Sequence, residues 1–246
     1  MRTYAIGDIH GHLDLLHQAH ARIAADRAAC GDRSSPVVHI GDLVDRGPDS
    51  RGVIDHLMHG IARGENWVVM KGNHDRMFTL FLQDPDAIDE GMRSGLSWLH
   101  PRLGGGPTLA SYGLRAPADR PLDRVHPEAV EAVPAAHRRF LEGLPSRFLH
   151  GEVLFVHAGI RPGVALHCQT ETDLLWIREP FLSDPRDHGA LVVHGHTAID
   201  APTHYGNRLN LDSGAAYGGP LSAVVIEGRA VFHLTDAGRQ PLVPGA

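Results

Sequence analysis

The sequence predicts an α/β fold with parallel strands at its centre. Three observations point there. Short apolar runs alternate with helix-length stretches as far as Gln83. The apolar runs are continuous, as in strands buried on both faces. Each run ends in a polar, glycine-bearing cluster, the position at which an open α/β sheet binds its ligand.

Residues 3–7 (TYAIG) read as the first strand, with a helical stretch near 13–29 after it. Residues 36–40 (PVVHI) make the second strand, and SRGVIDHLMHGIARG a helix closed by Gly64. Residues 66–70 (NWVVM) form the third, followed by the helix DRMFTLFLQ, which stops before Pro85. The pattern then weakens. Residues 84–126 hold Gly104-Gly105-Gly106, several prolines and scattered aromatics, and read as an insertion over a single domain spanning 1–246, with one or two short helices. Residues 127–144 look helical with an interruption at Pro134. Strands return with RFLH, VLFVHAG, ALVVHGHT, RLNLDSG, SAVVIEG and AVFHL, so the second half is strand-rich and partly antiparallel near its end.

A chain of 246 residues that is 42% apolar and 21% charged has material for a sizeable core. No apolar run approaches the ~18 residues that cross a bilayer, and no secretory h-region separates Met1-Arg2-Thr3 from YAIGDIHG; the expectation is a cytoplasmic protein. The net charge of −6 argues against a nucleic-acid surface, which needs a basic stripe. Cys30 and Cys168 lie far apart and outside any CxxC pair, so neither a disulfide nor a zinc knuckle is expected. Among the 19 histidines, His17, His20, His56 and His59 read as ordinary helix-face residues. Those at strand ends are the chemically interesting ones.

Five clusters follow five strands: Gly7-Asp8-Ile9-His10-Gly11, Gly41-Asp42-Leu43-Val44-Asp45-Arg46-Gly47, Gly72-Asn73-His74-Asp75, Val156-His157-Ala158-Gly159 and His194-Gly195-His196-Thr197. Any one alone is a turn. Five in order are a site. Asp8 and His10 are two apart, so an extended backbone would aim both the same way. Carboxylate, imidazole and amide oxygen together suit borderline divalent ions such as manganese, iron or zinc. Five such clusters exceed what one ion needs, which implies two divalent metal ions acting on a phosphorus centre.

GDIHG, GDLVDRG, GNHD, VHAG and GHT resemble the successive signatures of the phosphoprotein phosphatase branch of the calcineurin-like metallophosphoesterases, most closely the bacterial and phage serine/threonine phosphatases. LLWIREPF and LDSGAAYGG also resemble segments of the bacterial members. The resemblance implies a central β-sandwich flanked by helices, with the di-metal site at the carboxyl ends of the strands. It implies that Asp8, His10 and Asp42 hold one ion and that Asp42 bridges to a second held by Asn73, His157 and His196. His74 matches the general acid, oriented by Asp45, and Arg46 and Arg178 match the phosphate-binding arginines. The implied ion is manganese, with iron or zinc as alternatives, and the implied nucleophile is a metal-activated hydroxide. Asp75 stands where many eukaryotic members have glutamate.

The leading functional expectation is a metal-dependent phosphomonoesterase acting on phosphoserine or phosphothreonine in proteins. It rests partly on the lack of a glycine-rich cradle with a P-loop lysine: Lys71 is the only lysine. The alternative is a dinucleoside tetraphosphate hydrolase, and a non-catalytic scaffold is a third reading. The partner expected is thus a phosphoprotein or small phosphorylated substrate, with no nucleic acid and no membrane. Residues 84–126 are the expected lid or specificity wall, with aromatics that read as core packing ahead of base stacking.

Overall fold

Two sheets pack face to face in the computed structural model, which describes residues 1–245. The strands β1 (Arg2–Ile6), β2 (Val37–His39) and β3 (Trp67–Val69) are parallel neighbours. The helices α1 (Leu13–Cys30), α2 (Ser50–Ala62) and α3 (Asn73–Gln83) follow them in turn. Next come α4 (Gly105–Ser111), α5 (Leu122–Ala132) and α6 (Ala135–Glu142). The second sheet is built from β4 (Arg147–His150), β5 (Val153–Val156), β6 (Leu191–His194), β7 (Thr203–His204) and β8 (Arg208–Asn210), with α7 (Glu171–Trp176) between β5 and β6. The chain closes with β9 (Ala223–Glu227), β10 (Ala230–Thr235) and β11 (Gly238–Leu242), which return to the first sheet.

The first sheet runs β11-β10-β9-β1-β2-β3 and the second β4-β5-β6-β8-β7. β5, β6 and β8 are parallel, with β4 and β7 antiparallel at the edges. β9 pairs antiparallel with β1, so the mixed second half expected from sequence is what forms. The β-sandwich flanked by helices is likewise present.

Period-two alternation sorts each strand between layers. Ala5, Val38, Val153, Phe155, Leu191 and Val193 fill the space between the sheets. Tyr4, Ile6 and Val37 face α1, α2 and α3, while Leu154, Val156 and Val192 face Leu174 of α7 and Phe181. Each such side chain contributes ~1.5–3 kcal/mol on burial. Phe155 is fully buried at the centre of the inter-sheet layer, and Phe155→Ala should cost ~3–5 kcal/mol.

Element bounds follow local chemistry. Asp49 caps α2 by accepting from Gly52 N at 2.8 Å, and Gly64 takes the left-handed turn (φ 88°) just beyond its end. Pro134 does interrupt the helical stretch, separating α5 from α6. The first of these begins at Leu122, five residues before the expected start, with Pro127 inside it. Val125 and Ala129 bury on one face, so packing carries the helix past the single hydrogen bond that proline forgoes.

Residues 84–126 hold α4, a 3₁₀ turn at Pro117–Asp119 and the start of α5. Arg76 of α3 anchors the segment through two bonds to Asp89, Nε–Oδ2 2.6 Å and Nη2–Oδ1 2.5 Å. Trp98 stacks on Phe78 (5.0 Å) and lies against Phe81 (4.6 Å). With Tyr112, it is buried core, as its surroundings in the sequence suggest.

Candidate active site

All five polar clusters meet where the two sheets present the carboxyl ends of β1, β2, β3, β5 and β6. They interlock through the backbone. Ile9 N and His10 N both donate to Asp42 O (3.1 and 2.7 Å), and Gly11 N donates to Leu43 O (2.9 Å). Asp75 ties the second loop to the third, accepting from Leu43 N at 2.9 Å and Gly72 N at 2.7 Å. Two glycines permit this density. A Cβ on Gly72 would stand 2.1 Å from Asp42 Oδ1, and one on Gly195 2.0 Å from Asp8 Oδ1.

Among the described residues six non-glycine positions have positive φ, and five are here: His10 (45°), Asp42 (50°), Asp45 (73°), Arg46 (69°) and His196 (65°). Such a backbone costs ~1–3 kcal/mol per residue, and it collects where function over-determines it. One expectation is corrected by this. β1 ends at Ile6, so Asp8 and His10 are aimed by a turn and not by strand periodicity.

Asp42 is the hub. Its Oδ2 lies 3.3 Å from His10 Nε2 and its Oδ1 3.4 Å from His157 Nε2. His10 Nδ1–H donates to Val44 O (2.8 Å) and His157 Nδ1–H to Ile40 O (3.0 Å), which turns both Nε2 atoms inward. Asn73 Oδ1 receives His157 Nε2 (2.9 Å) and His196 Nδ1 (2.8 Å). Asp8 Oδ2 accepts from His196 N at 2.9 Å. His194 goes elsewhere: it is fully buried, beside Gly195 O and Arg208 Nη1 (3.2 and 3.3 Å), with its ring edge-on to Phe181.

His74 and Asp45 form a dyad, Nδ1 to Oδ2 at 2.6 Å, both buried. Arg46 forks between two imidazoles, donating from Nη1 to His10 Nε2 (2.7 Å) and from Nη2 to His74 Nε2 (2.9 Å). Both rings therefore carry their proton on Nδ1.

Burial pushes the Asp45 carboxyl up to about 7, against hydrogen bonds from Thr108 and Trp98 that lower it. Burial also holds His74 well below the ordinary imidazole range. Burial works to lower His157 too, but the charges of Asp42 and Asp8 outweigh it and lift that ring to about 10. Burial, then Asp212 and Asp42, push the Asp8 carboxyl far up.

These features fit divalent cations. Asp8 Oδ1 and His196 Nε2 are buried polar atoms with no hydrogen-bond partner. Among the described residues, ligand-capable atoms gather within 4.8 Å of one another in two groups, His10–Asp42–His74 and Asp42–His157–His196, which share Asp42. The grouping includes His74, whose Nδ1 is already engaged by Asp45, and does not include Asp8.

The site opens into a cleft of about 930 Å³ lined by Arg46, Arg178, Arg102, Trp176, Asp212 and Tyr217, with Leu96, Leu99 and Leu103 on one wall. Arg178 is exposed in the loop after α7 and faces His196. Tyr217 is 70% exposed, with the Arg46 guanidinium 5.3 Å from its ring centre. Sequence reasoning reads Trp98 only as core packing in the 84–126 segment and assigns no role to Thr108, Asp212 or Tyr217. For Asp212 and Tyr217 the signal was there: β8, too, ends in a polar glycine-bearing run, LDSGAAYGG.

Strand ends of two packed sheets that gather carboxylate, imidazole and amide ligands around a paired arginine fork define a metal-dependent phosphoesterase. Residues 1–225 match the family model for calcineurin-like phosphoesterases, and the chain belongs to that family and is a hydrolase. It is 24% identical to the bis(5'-nucleosyl)-tetraphosphatase PrpE [asymmetrical] of Geobacillus thermodenitrificans, over 91% of this chain and 90% of that one. It is 27% identical to serine/threonine-protein phosphatase 1 of Salmonella typhimurium, over 92% of each. Among solved structures, one named provisionally as a diadenosine tetraphosphatase superposes with a TM-score of 0.64 at 23% identity, covering 99% of this chain and 95% of that one. The cold-active protein-tyrosine phosphatase of a Shewanella species superposes at 0.57 with 14% identity, covering 98% and 80%. Both likenesses concern the fold. No helix among the described residues is long and apolar enough to cross a membrane.

Proposed function

We propose that the chain hydrolyses a dinucleoside polyphosphate, the reading held second from the sequence. The observation that carries it is the cleft. At about 930 Å³ it has the size of a small-molecule pocket, ~300–1,000 Å³, and far exceeds one phosphoryl group. Arg102 adds a third arginine on the wall, an anchor for a phosphate chain that needs neither a glycine cradle nor a lysine. The PrpE relative, named for this activity, supports the same reading. Phosphoprotein hydrolysis is the second reading, favoured by the Salmonella relative and by the exposure of Arg178 and Tyr217 at the rim.

In this reading Asp8, His10 and Asp42 hold one cation, and Asp42, Asn73, His157 and His196 a second, manganese suiting the nitrogen and oxygen donors, with iron and zinc as alternatives. Bound cations supply Lewis-acid polarisation at phosphorus and acidify water. Once His10 Nε2 is taken, Nη1 of Arg46 needs another acceptor, and a phosphoryl oxygen fits. Arg178, exposed and lining the same cleft, would meet the same group. His74, released by Arg46, would take a proton from solvent on Nε2, its imidazolium stabilised by the Asp45 carboxylate, and pass it to the departing oxygen, a step worth ~10²–10⁴-fold. Residues 84–126 serve as the specificity wall of a single domain.

The test is a manganese-supplemented assay comparing diadenosine tetraphosphate with phosphoserine and phosphothreonine peptides. The expected result is a higher kcat/KM for the dinucleotide, its products separated by chromatography. Higher kcat/KM for the peptides would instead establish the second reading.

A further inference from the structure

The Asp45 carboxylate accepts three side-chain donors, and two come from the segment that walls the cleft. Trp98 Nε1–H reaches Oδ2 at 2.9 Å and Thr108 Oγ1–H reaches Oδ1 at 2.8 Å; the third is His74 Nδ1–H. Thr108 is used twice, since Asp45 N–H donates to its Oγ1, also at 2.8 Å. A hydroxyl that accepts from the backbone of Asp45 has one proton left, and it goes to the carboxylate. All four residues are buried to 3% exposure or less, so no water competes for these bonds.

The backbone needs the same support. Asp45 and Arg46 are consecutive left-handed residues, φ 73° and 69°. Arg46 N donates to Gly104 O at 3.0 Å, and a Cβ on Gly104 would stand 2.7 Å from Arg46 N. The stretch 98–108 therefore grips both strained residues. Trp98 is itself fixed by its stack on Phe78, which lies four residues beyond His74 on α3.

We infer that Trp98 and Thr108 are positioning residues for His74: they hold the Asp45 carboxylate in the one orientation that receives His74 Nδ1–H and frees Nε2 for the substrate. Without the indole N–H, Oδ2 keeps a single donor and the carboxylate can rotate. Without the hydroxyl, Oδ1 loses its donor in a dry site and the amide of Asp45 keeps only its longer bond to Ser50 Oγ at 3.2 Å. The segment that shapes the cleft thus also aims the proton donor.

The inference rests on His74 acting as the proton donor, and the experiment separates the two. Trp98→Phe keeps the ring stack, Thr108→Val keeps the volume, and Thr108→Ser restores the hydroxyl; His74→Asn is the reference. With manganese-loaded protein and diadenosine tetraphosphate, Trp98→Phe and Thr108→Val should lower kcat at least about tenfold with KM within about twofold, and Thr108→Ser should recover most of it. In metal-free protein, ¹⁵N-detected imidazole spectra should show His74 with a protected Nδ1–H in the parent and in Thr108→Ser. That proton should exchange rapidly in Trp98→Phe and Thr108→Val. Parent-like kcat and a protected Nδ1–H in both of those variants, beside a large loss in His74→Asn, would overturn the inference. Unchanged kcat in His74→Asn would overturn the proton-donor reading alone, and the spectra would still decide the clamp.

Discussion

Asp42 Oδ1 lies 3.4 Å from His157 Nε2, while the other oxygen of the same carboxylate lies 3.3 Å from His10 Nε2. One side chain thus faces both ligand groups. Asp42→Ala should abolish retention of both cations, whereas Asn73→Ala should cost only one. Elemental analysis after manganese loading and dialysis checks this. One retained ion per chain in Asp42→Ala would make Asp42 an ordinary ligand of a single site.

As a ligand, His157 would have to give up a proton when a cation binds. Burial opposes that proton, but Asp42 and Asp8 prevail and place the ring near 10, so it is charged at neutral pH. Its Nε2–H and His196 Nδ1–H both point at Asn73 Oδ1, an arrangement that requires two donors. Cation binding should therefore release a proton, and manganese affinity should rise with pH through the neutral range. Calorimetry in buffers of different ionisation heat reads the proton number directly. An enthalpy independent of buffer would remove this account of His157.

His194 and His196 should behave oppositely. His196→Ala should lose one cation with modest change in stability. His194→Ala should keep both cations and melt earlier, because it leaves Arg208 and the edge of Phe181 without their buried partner. Metal content and thermal melting, measured side by side, separate the two roles.

That pair shows where the sequence stops being informative. The five clusters were legible because continuous apolar strands make the polar residues at their ends conspicuous. Strand periodicity points residues two apart alike, and the left-handed φ of His196 breaks that rule just past β6. His17, His20 and His56 do sit on helix faces, but what those faces meet is not legible in the sequence. They form a hydrogen-bonded chain with His39, His17 to His56 at 3.3 Å, His56 to His20 at 3.0 Å and His20 to His39 at 2.9 Å, spanning α1, α2 and β2. Contacts across three elements leave no periodic trace. The bonds of Asp45 to Trp98 and Thr108, 53 and 63 residues away, leave none either.

The histidine chain should make the fold acid-sensitive. Burial, then neighbouring imidazoles, lower His20 to about 2 and His56 to about 4; burial lowers His39 to about 3. In the unfolded chain all three take up protons near pH 6.5, which the native state refuses. Their stabilisation is thus complete above about pH 6.5 and is lost as pH falls below it, at up to ~1.4 kcal/mol per pH unit for fully buried His39. Denaturant midpoints between pH 7.5 and 5 should fall, and His39→Leu should flatten the slope. Equal slopes in the two proteins would exclude His39 as the source.

In the proposed site Asp42 stands between two cations, with His74 beside them as proton donor and not as ligand. Anomalous diffraction from manganese-soaked crystals tests it most directly. Two manganese peaks per chain are expected, one within ligand distance of Asp8, His10 and Asp42 and one of Asp42, Asn73, His157 and His196, with His74 still bonded to Asp45. A single peak held by His10, Asp42 and His74 would contradict it.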